Sequence, residues 1–449
     1  MSDAVKKRLS VAEGTSESVR ETCSEDYQDT KASLSVFSYV AWALGATFVL
    51  YQFVLQSTPS VMIPDLMRDF SIGSTSVGFL SSSFFYTYLA FQVPGGMLVD
   101  RFGPRKVLAL GVVLCALSCL LFASAHQLWV ADCSRLLMGI AASPAFAGAL
   151  YVIADLFPAS LFPLMAGFTE TIAMTGVFGG EFYLTRSVMQ LGWRNMMLIC
   201  ALFGLILSIA MWLGIQSKAV TTTAESNEAP DREAVSEKKL KQLDVLYIKQ
   251  LWVVGLFAGF SFALAPAFAG LWSLPYFQLL YGVSRDVSAI MSATIFLGIA
   301  VGCPVFGWFA KLLPWKRLMR TICLLNLLIL LIVLYLPLPL YVMVVGLFLL
   351  GFTSGVYVIA FFCIRLIAPA YARGTAVAIV NALAITIGSL LFQPLIGYLL
   401  GIHDAGVLQQ GIVVYSIADY HTAFIVLPIC SLLAFLVTFW VNVPGSNIA

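Results

Sequence analysis

The sequence predicts an all-α membrane protein of twelve transmembrane helices, arranged as two pseudo-symmetric six-helix halves. Hydrophobic residues make up 60% of the 449-residue chain and charged residues only 11%, whereas an ordinary soluble domain has about 25% charged residues. So few charges cannot cover a water-exposed surface. The placement of the basic residues and an internal repeat support the same fold class.

Twelve apolar segments are long enough to cross a bilayer core, which requires about 20 residues per helix. These segments are residues 36–58, 76–99, 107–125, 128–157, 162–190, 195–215, 251–278, 287–310, 319–338, 340–367, 374–401 and 420–443. The shortest connection follows span nine, where Pro337 and Pro339 end one helix and begin the next. We therefore expect a tight turn between spans nine and ten.

The chain divides into two helical halves, residues 36–215 and 250–443. The tail 1–35, the linker 216–249 and the end 444–449 are predicted to be cytoplasmic. Of the lysines and arginines, twenty lie in segments assigned to the cytoplasm, four lie outside, and Arg135 lies within a span. Because basic residues collect on the cytoplasmic side of a membrane protein, we expect a multi-pass inner (plasma) membrane protein with both termini in the cytoplasm.

The two halves share a register of 211 residues. Each of five residues near helix ends has a like residue 211 positions further on, the pairs being Pro64 and Pro275, Gly96 and Gly307, Arg105 and Lys316, Lys106 and Arg317, and Pro158 and Pro369. Five matches without a gap predict an internal duplication. Transporters built from parallel repeats hold their substrate between the halves, near the bilayer midplane.

The loop after span two is the most specific motif in the chain. It reads Gly95-Gly96-Met97-Leu98-Val99-Asp100-Arg101-Phe102-Gly103-Pro104-Arg105-Lys106. This loop resembles the signature G-x-x-x-D-R-x-G-x-R-K of the major facilitator superfamily of secondary transporters, in its bacterial form. Residues 135–142 are also similar to that family's R-x-x-x-G-x-x-A pattern. The resemblance covers about residues 35 to 443 and implies the twelve-helix fold of that family.

The resemblance further implies that this loop is a cytoplasmic gate that stabilises the outward-open state. The gate residues are expected to be Gly96, Asp100, Arg101, Gly103, Arg105 and Lys106. Gly96 allows another helix to pack closely, and Gly103 allows a tight turn. Asp100 can pair with basic residues or with a helix N-terminus in the other half. The neighbouring basic residues hold the loop on the cytoplasmic side.

Three charged residues stand out deep within the predicted spans, where each costs about 3 kcal/mol on insertion scales and usually serves a function. Arg135 lies about 10 Å into span four at 1.5 Å per residue. Glu170 and Glu181 on span five are eleven residues apart, nearly three full turns, so both carboxylates lie on one face. We expect Arg135 to bind an anion or to couple a proton, with Glu181 its partner in one state and Glu170 a second protonatable site. A permanent Arg–Glu pair that only fixes helix packing is the alternative.

Polar residues on the helices that line the cavity in this family are further candidates for substrate contact. They are Tyr51, Gln52, Tyr276, Tyr357, Asn381 and Gln393. Anchoring at the membrane interface or hydrogen bonding between helices explains any one of them equally well.

These features predict a secondary active transporter that imports a small polar, anionic metabolite by proton coupling and alternating access. The nucleotide-binding loop G-x-x-x-x-G-K-[ST] is absent, and no nucleophile–base or metal-ligand pattern is present in the sequence. We therefore expect no enzyme activity, cofactor or metal. The expected partners are a small-molecule substrate, protons and the lipid bilayer, without nucleic acid, and the protein is expected to be a monomer.

Two alternatives remain open at the level of sequence. A proton-driven exporter of drugs or of a secreted metabolite such as a siderophore has the same fold, although residues 175–183 lack the proline of the antiporter pattern and the glycines that follow it there. A transporter-like membrane sensor would signal through the tail and the central linker.

Overall fold

The computed structural model describes residues 35–72, 74–215, 243–402, 407–409 and 412–443. Residues 1–34, residues 216–242 of the linker and the end 444–449 lie outside the described residues, so the predicted roles of these segments stay predictions. Side chains at a few helical positions, including Glu181, also lie outside the description.

Twelve helical spans make up most of the described chain. The first half contains α1 (Val36–Phe70), α2 (Ser74–Phe102), α3 (Pro104–Ala123), α4 (Leu128–Leu156), α5 (Phe162–Leu191) and α6 (Trp193–Gly214). The second half contains α7 (Lys249–Tyr281), α8 (Arg285–Leu312), α9 (Trp315–Tyr335), α10 (Leu340–Ile367), α11 (Arg373–Ile385, Thr386–Phe392 and Gln393–Ile402) and α12 (Ile417–Val437). Within the described residues ten spans are both long and apolar enough to cross a membrane, and α2 and α5 are long enough at 29 and 30 residues. The predicted fold class is confirmed.

Several spans depart locally from a regular α-helix. The α4 helix stops at Ala142 and restarts at Ala145, because Pro144 has no N–H for the helical ladder. The spans α7 and α11 contain π-helical stretches, Ala265–Trp272 and Thr386–Phe392. The α10 helix tightens into a 3-10 turn at Gly355–Tyr357. Such mid-helix irregularities often mark functional positions.

The first span is longer than predicted. The α1 helix continues past the predicted end at residue 58 to Phe70, since the polar side chains of its last turns find partners at the helix surface. Asp69 accepts hydrogen bonds from Trp193 and Arg194 at the start of α6. These bonds, led by that of Trp193, lower the pKa of Asp69 to about 2. The extension therefore ties the end of α1 to α6.

The segment between α11 and α12, predicted as a loop, contains a short hairpin. Strand β1 (Val407–Gln409) pairs antiparallel with β2 (Ile412–Val414). A search for apolar segments of about 20 residues cannot detect strands of three residues.

Packing between the halves follows the 211-residue register. A Cβ atom at Gly96 of α2 would lie 2.6 Å from the carbonyl oxygen of Gly374 on α11. Similarly, a Cβ atom at Gly307 of α8 would clash with the carbonyl oxygen of Pro163 on α5. Gly96 and Gly307 are counterparts in the register, and so are Pro163 and Gly374. The duplicated halves therefore meet through two equivalent close helix contacts, α2 with α11 and α5 with α8.

A fully hydrogen-bonded amide holds the outer helices of the second half together. Asn326 of α9 donates to the carbonyl of Leu350 and to the hydroxyls of Thr353 and Ser354, all on α10, at 2.8 to 3.1 Å. Its carbonyl oxygen accepts from the hydroxyl of Ser431 on α12 at 3.1 Å. This network is a packing element, because every polar atom of the amide already has a protein partner.

Candidate functional site

Arg135 of α4 is fully buried against α1 and α2. Its guanidinium donates to the carbonyl oxygens of Leu55, at 2.8 Å, and of Gln56, at 3.4 Å. It also lies 5.0 Å from the ring centroid of Phe84, a cation–π distance. The Leu55 carbonyl is available because Pro59, four residues later, has no N–H to close the helical hydrogen bond. Carbonyl oxygens and an aromatic face thus stabilise this charge.

Among the side chains that the structure describes, no carboxylate pairs with Arg135, since the ion pairs there involve Arg68 and Arg194. The Nε atom of Arg135 is buried without a hydrogen-bond partner. The predicted pairing with Glu181 stays a prediction, because that side chain lies outside the described residues. A guanidinium with an unused buried donor is suited to a carboxylate ligand, which forms charge-assisted hydrogen bonds with it.

Glu170 of α5 meets Tyr357 of α10 across the interface between the halves. Both side chains are only 3% exposed, and the Tyr357 hydroxyl lies within interaction range of the Glu170 carboxyl group. The next residue, Thr171, donates to the carbonyl of Ala300 on α8, which fixes this turn of α5 against the other half. The 3-10 turn of α10 carries Tyr357. The sequence-predicted residues Glu170 and Tyr357 are therefore brought together.

Two aromatic rings of α2 connect Arg135 with this carboxylate. Phe84, which lies under Arg135, stacks on Tyr88 with centroids 5.5 Å apart and an interplanar angle of 15°. Tyr88 interacts with Asn381 of α11 and lies within electrostatic range of Glu170. Arg135, the rings of Phe84 and Tyr88, Glu170 and Asn381 therefore form one path along the interface.

The position of Asn381 repeats that of Glu170 in the other half, since the two residues are 211 positions apart. They lie eight residues from the starts of α11 and α5, about 12 Å into the bundle at 1.5 Å per residue. Arg135 lies about 10 Å from the opposite end of the bundle by the same measure. The path thus runs between a cation near one end and a carboxylate and an amide nearer the other.

Two buried glutamines next to this path have unused hydrogen-bonding atoms. Gln52 of α1 is 1% exposed and donates to Gln56, but its own carbonyl oxygen has no partner. Gln92 of α2 is also 1% exposed, and neither its oxygen nor its nitrogen has a partner. The Tyr88 hydroxyl lies beside the Gln92 amide without reaching good hydrogen-bond geometry.

Three predicted residues lie away from this path. The Tyr51 hydroxyl donates to the carbonyl of Cys200 on α6 at 2.8 Å, within the first half. The Tyr276 hydroxyl lies 3.1 Å from Nε2 of His421 on α12, within the second half. Gln393 is half-buried, and its backbone carbonyl accepts from Trp272 at 2.9 Å. These positions suit helix packing more than substrate contact.

The halves are closed against each other at the end of the bundle that holds the loop Gly96–Lys106, here called the signature end. The carboxylate of Asp100 accepts from the backbone N–H groups of Gly374 and Thr375, both at 2.7 Å, and from the Thr375 hydroxyl at 2.6 Å. It thus caps the N-terminus of α11, where unpaired N–H groups and the helix dipole favour an anion. The predicted pairing of Asp100 with a helix N-terminus in the other half is present.

A second, reciprocal contact also closes the signature end. Arg365 of α10 donates to the carbonyl oxygens of Ala154 and Phe157 at 3.1 and 3.0 Å, and to that of Pro158 at 3.3 Å. These oxygens end α4, and Pro158 leaves the Ala154 carbonyl without its helical N–H partner. A cation at a helix C-terminus complements the dipole there. Each half therefore inserts one charge onto a helix end of the other half.

Two other gate residues contact aromatic rings of the first half. Arg101 lies over the ring of Phe102 at 5.0 Å, and Arg105 lies over Trp212 of α6 at 4.7 Å. Gly103 has a φ of 80°, which glycine adopts without strain and which permits the turn into α3. Lys106 is exposed.

Sequence reasoning missed Phe84, Tyr88, Gln92 and Arg365. A signal existed for two of them, because Tyr88, Gln92 and Gly96 follow one another at four-residue intervals and so share one helix face. Arg365 is one of the twenty basic residues that the sequence assigns to the cytoplasmic side. Within the described chain, no three His, Cys, Asp or Glu side chains are grouped as metal ligands.

Comparisons with known proteins agree with this architecture. The chain is 27% identical over 281 residues to a probable L-galactonate transporter of Escherichia coli, covering 60% of this chain and 61% of that protein. It is 26% identical over 207 residues to a probable galactarate/D-glucarate transporter of Bacillus subtilis, covering 43% of this chain and 41% of that protein. The matched segments thus span less than two thirds of either relative.

A solved structure and a family model match over more of the chain. The fold is similar to that of FucP, a major facilitator superfamily transporter in the outward conformation, with a TM-score of 0.67 at 14% identity, over 90% of this chain and 99% of that one. A family model described as the Major Facilitator Superfamily matches residues 44–393, more than three quarters of the chain. Such proteins are multi-pass membrane transporters rather than enzymes. This chain belongs to the Major Facilitator Superfamily.

Proposed function

We propose that this protein imports a polyhydroxylated carboxylate, a sugar acid, across the inner membrane by proton-coupled alternating access. The observation that carries the proposal is Arg135, a fully buried guanidinium with an unused donor and no carboxylate partner among the described side chains. A carboxylate substrate that reaches Arg135 supplies the missing negative charge. The two relatives named for L-galactonate and for galactarate and D-glucarate transport suggest the chemical class of that carboxylate.

The proposed orientation of the protein in the membrane follows from the charges at the signature end. This end, with its basic loop, is assigned to the cytoplasm by the positive-inside rule. The contacts made by Asp100 and Arg365 close it, which supports an outward-facing assignment of the present conformation. Substrate then enters from the opposite end, meets Arg135 first, and moves toward Glu170 as the halves rock.

Glu170 is proposed as the proton site. A carboxylate that is 3% exposed and has no basic partner among the described side chains is costly to keep ionised within a membrane. Its interaction with Tyr357 spans the two halves, so we expect this interaction to form and break as the halves alternate between their two conformations. Loss of the proton when the site opens to the cytoplasm then couples proton flow to substrate movement.

The test is uptake by the purified protein in proteoliposomes. We expect uptake of labelled L-galactonate, galactarate or D-glucarate against a gradient when the outer solution is acidic, and competition by the other acids but not by neutral hexoses. Absence of uptake and of counterflow for every acid of this panel would refute the substrate class.

A matched pair of assays tests the proton site separately. Glu170→Gln is expected to abolish accumulation driven by a pH gradient, yet to keep counterflow exchange, because exchange requires no net proton movement. Thr175→Ala on the same helix is the control, since Thr175 is exposed and bonds only to its own helix. Gradient-driven accumulation that survives in Glu170→Gln would exclude this role.

A further inference from the structure

Gln92 lies on the face of α2 that meets the other half. It is one helical turn from Gly96, whose Cα packs against the backbone of Gly374 and the methyl group of Ala378. On its other side, one turn away, Tyr88 interacts with Asn381. The α2 contacts at both neighbouring turns are therefore with α11, and Gln92 lies between them at the interface, directly above the closed signature end.

The amide of Gln92 is unlike any other polar side chain that the structure describes. It alone has both a donor and an acceptor buried without a hydrogen-bond partner. Buried polar groups are nearly always paired, because an unpaired group has lost its hydration without compensation. Asn326 shows the usual solution, with partners for both atoms. An unpaired donor and acceptor side by side match the two roles of a hydroxyl group, which donates and accepts.

The internal repeat shows that the scaffold does not need an amide here. The counterpart of Gln92, 211 positions later, is Cys303. Cys303 is fully buried, and its backbone lies against Gly167 in the equivalent α5–α8 contact. Since a small apolar side chain is sufficient for that contact, packing alone does not explain a glutamine in the α2–α11 contact.

The distance to Arg135 matches the length of the proposed substrate. Phe84, which lies under the Arg135 guanidinium, is eight residues before Gln92, about 12 Å along the axis of α2. A six-carbon chain with a hydrogen bond of about 2.8 Å at each end covers a comparable distance. A substrate held at Arg135 by its carboxylate can therefore present a hydroxyl from the distal part of its chain to Gln92.

We propose that Gln92 is the specificity-determining residue for the polyol part of the substrate, accepting from and donating to one hydroxyl in the occluded state. The inference rests on the proposed sugar-acid function and deepens it. A carboxylate that lacks this hydroxyl leaves the amide unpaired in the closed cavity, and it is therefore discriminated against.

The same amide could instead only weaken the closed signature end, because closure buries it. The two roles give different patterns of affinity. A change in the population of the binding-competent conformation scales the apparent dissociation constants of all ligands by one common factor. A lost hydrogen bond affects only those ligands that carry the hydroxyl.

The experiment measures dissociation constants of the purified protein for L-galactonate, galactarate and D-glucarate, each with its monodeoxy analogues, in wild type and in Gln92→Leu. For the acid that binds, we expect Gln92→Leu to weaken binding by about tenfold or more. Each tenfold change in the dissociation constant corresponds to about 1.4 kcal/mol, the size expected for one lost pair of hydrogen bonds between uncharged groups. The loss should vanish for the one deoxy analogue that lacks the recognised hydroxyl. A uniform loss across all analogues, or no loss, would overturn the proposal.

Thermal unfolding without ligand supplies the second readout, with Asn326→Leu as the matched control. Gln92→Leu is expected to unfold at the same or a higher temperature than wild type, because it removes an unpaired buried amide. Asn326→Leu is expected to unfold at a lower temperature and to keep the wild-type affinities. A destabilised Gln92→Leu would show that the amide is structural and contradict the inference. If wild type binds none of the acids, the proposed function itself is wrong, and this inference with it.

Discussion

Arg365 offers a direct test of how the signature end closes. Its guanidinium donates to three carbonyl oxygens at the end of α4, with distances between 3.0 and 3.3 Å, and it lies 5.0 Å from the ring centroid of Phe162 on α5. All of these groups belong to the other half. Replacing Arg365 by Gln keeps a polar side chain but removes the charge and most of the donors.

The free-energy cost of Arg365→Gln for closure of the signature end follows from the hydrogen bonds that are lost. A hydrogen bond to a charged group contributes about 1.5 to 3 kcal/mol when buried. Because the Arg365 side chain is half-buried, solvent screening reduces each bond to about 1 kcal/mol. Three such bonds total about 3 kcal/mol, which changes the ratio of closed to open signature ends about 100-fold.

Cysteine labelling measures that ratio. Val377 lines the small cavity beside Arg365 and is 6% exposed, so a cysteine there reacts with a membrane-impermeant maleimide only when the signature end opens. The background replaces Cys23 and the exposed Cys133. In inside-out vesicles we expect Arg365→Gln to raise the labelling rate toward 100-fold, provided that the closed state dominates in wild type.

Arg320→Gln is the matched control. Arg320 belongs to α9 and lies 4.4 Å from the ring centroid of Phe439 in its own half, so its loss leaves the contact between the halves intact. Labelling of the Arg365→Gln variant at the wild-type rate would contradict this account of closure, and so would an equally strong acceleration in the Arg320→Gln variant.

Two further predictions concern the gate, and a third concerns the contact between the end of α1 and α6. Asp100→Asn removes the charge that caps α11 and should raise the labelling rate of the cysteine at position 377 about tenfold. An unchanged labelling rate would exclude a gating role for Asp100. Gly96→Ala places a methyl group 2.6 Å from the Gly374 carbonyl oxygen and should trap the signature end open, with loss of counterflow. In the control Gly45→Ala the new methyl group lies 3.4 Å from its nearest atoms, so closure and counterflow should both be kept. Asp69, with a pKa lowered to about 2, contributes stability that is complete above its unfolded pKa of about 3.9 and is lost as pH falls through 2. The stability advantage of wild type over Asp69→Asn in thermal unfolding should therefore vanish toward pH 2, and an advantage that persists there would contradict this assignment.

Hydropathy, charge placement and the repeat predicted the fold because they depend on which residues lie within the membrane. The same 211-residue register that relates Gly96 to Gly307 relates the two close contacts that these glycines make. The loop at Asp100 was identified because a carboxylate, a glycine turn and basic residues occur together in a short stretch. Depth in the membrane and local motifs are properties that a single sequence records.

The direction in which each side chain points was much less predictable. Tyr51 and Tyr276 lie at suitable depths, yet each hydroxyl bonds within its own half. The rotation of a helix about its axis decides this, and it is set by close contacts such as that of Gly96 with α11. The same rotation brings Tyr88 and Gln92 to the interface, although their residue types alone did not mark them. The 3-10 turn that carries Tyr357 was equally absent from the hydropathy pattern.

The central claim is that Arg135 binds the carboxylate of a sugar acid. The most direct measurement is the dissociation constant of the purified protein for L-galactonate, galactarate, D-glucarate and the neutral sugar galactose, in wild type and in Arg135→Gln. Removing one partner of a buried charge pair costs about 3 to 5 kcal/mol, so Arg135→Gln should weaken binding of the acid at least 100-fold, and galactose should not bind either protein. Equal affinity of wild type for galactose and for the acids, or unchanged affinity in Arg135→Gln, would contradict the account.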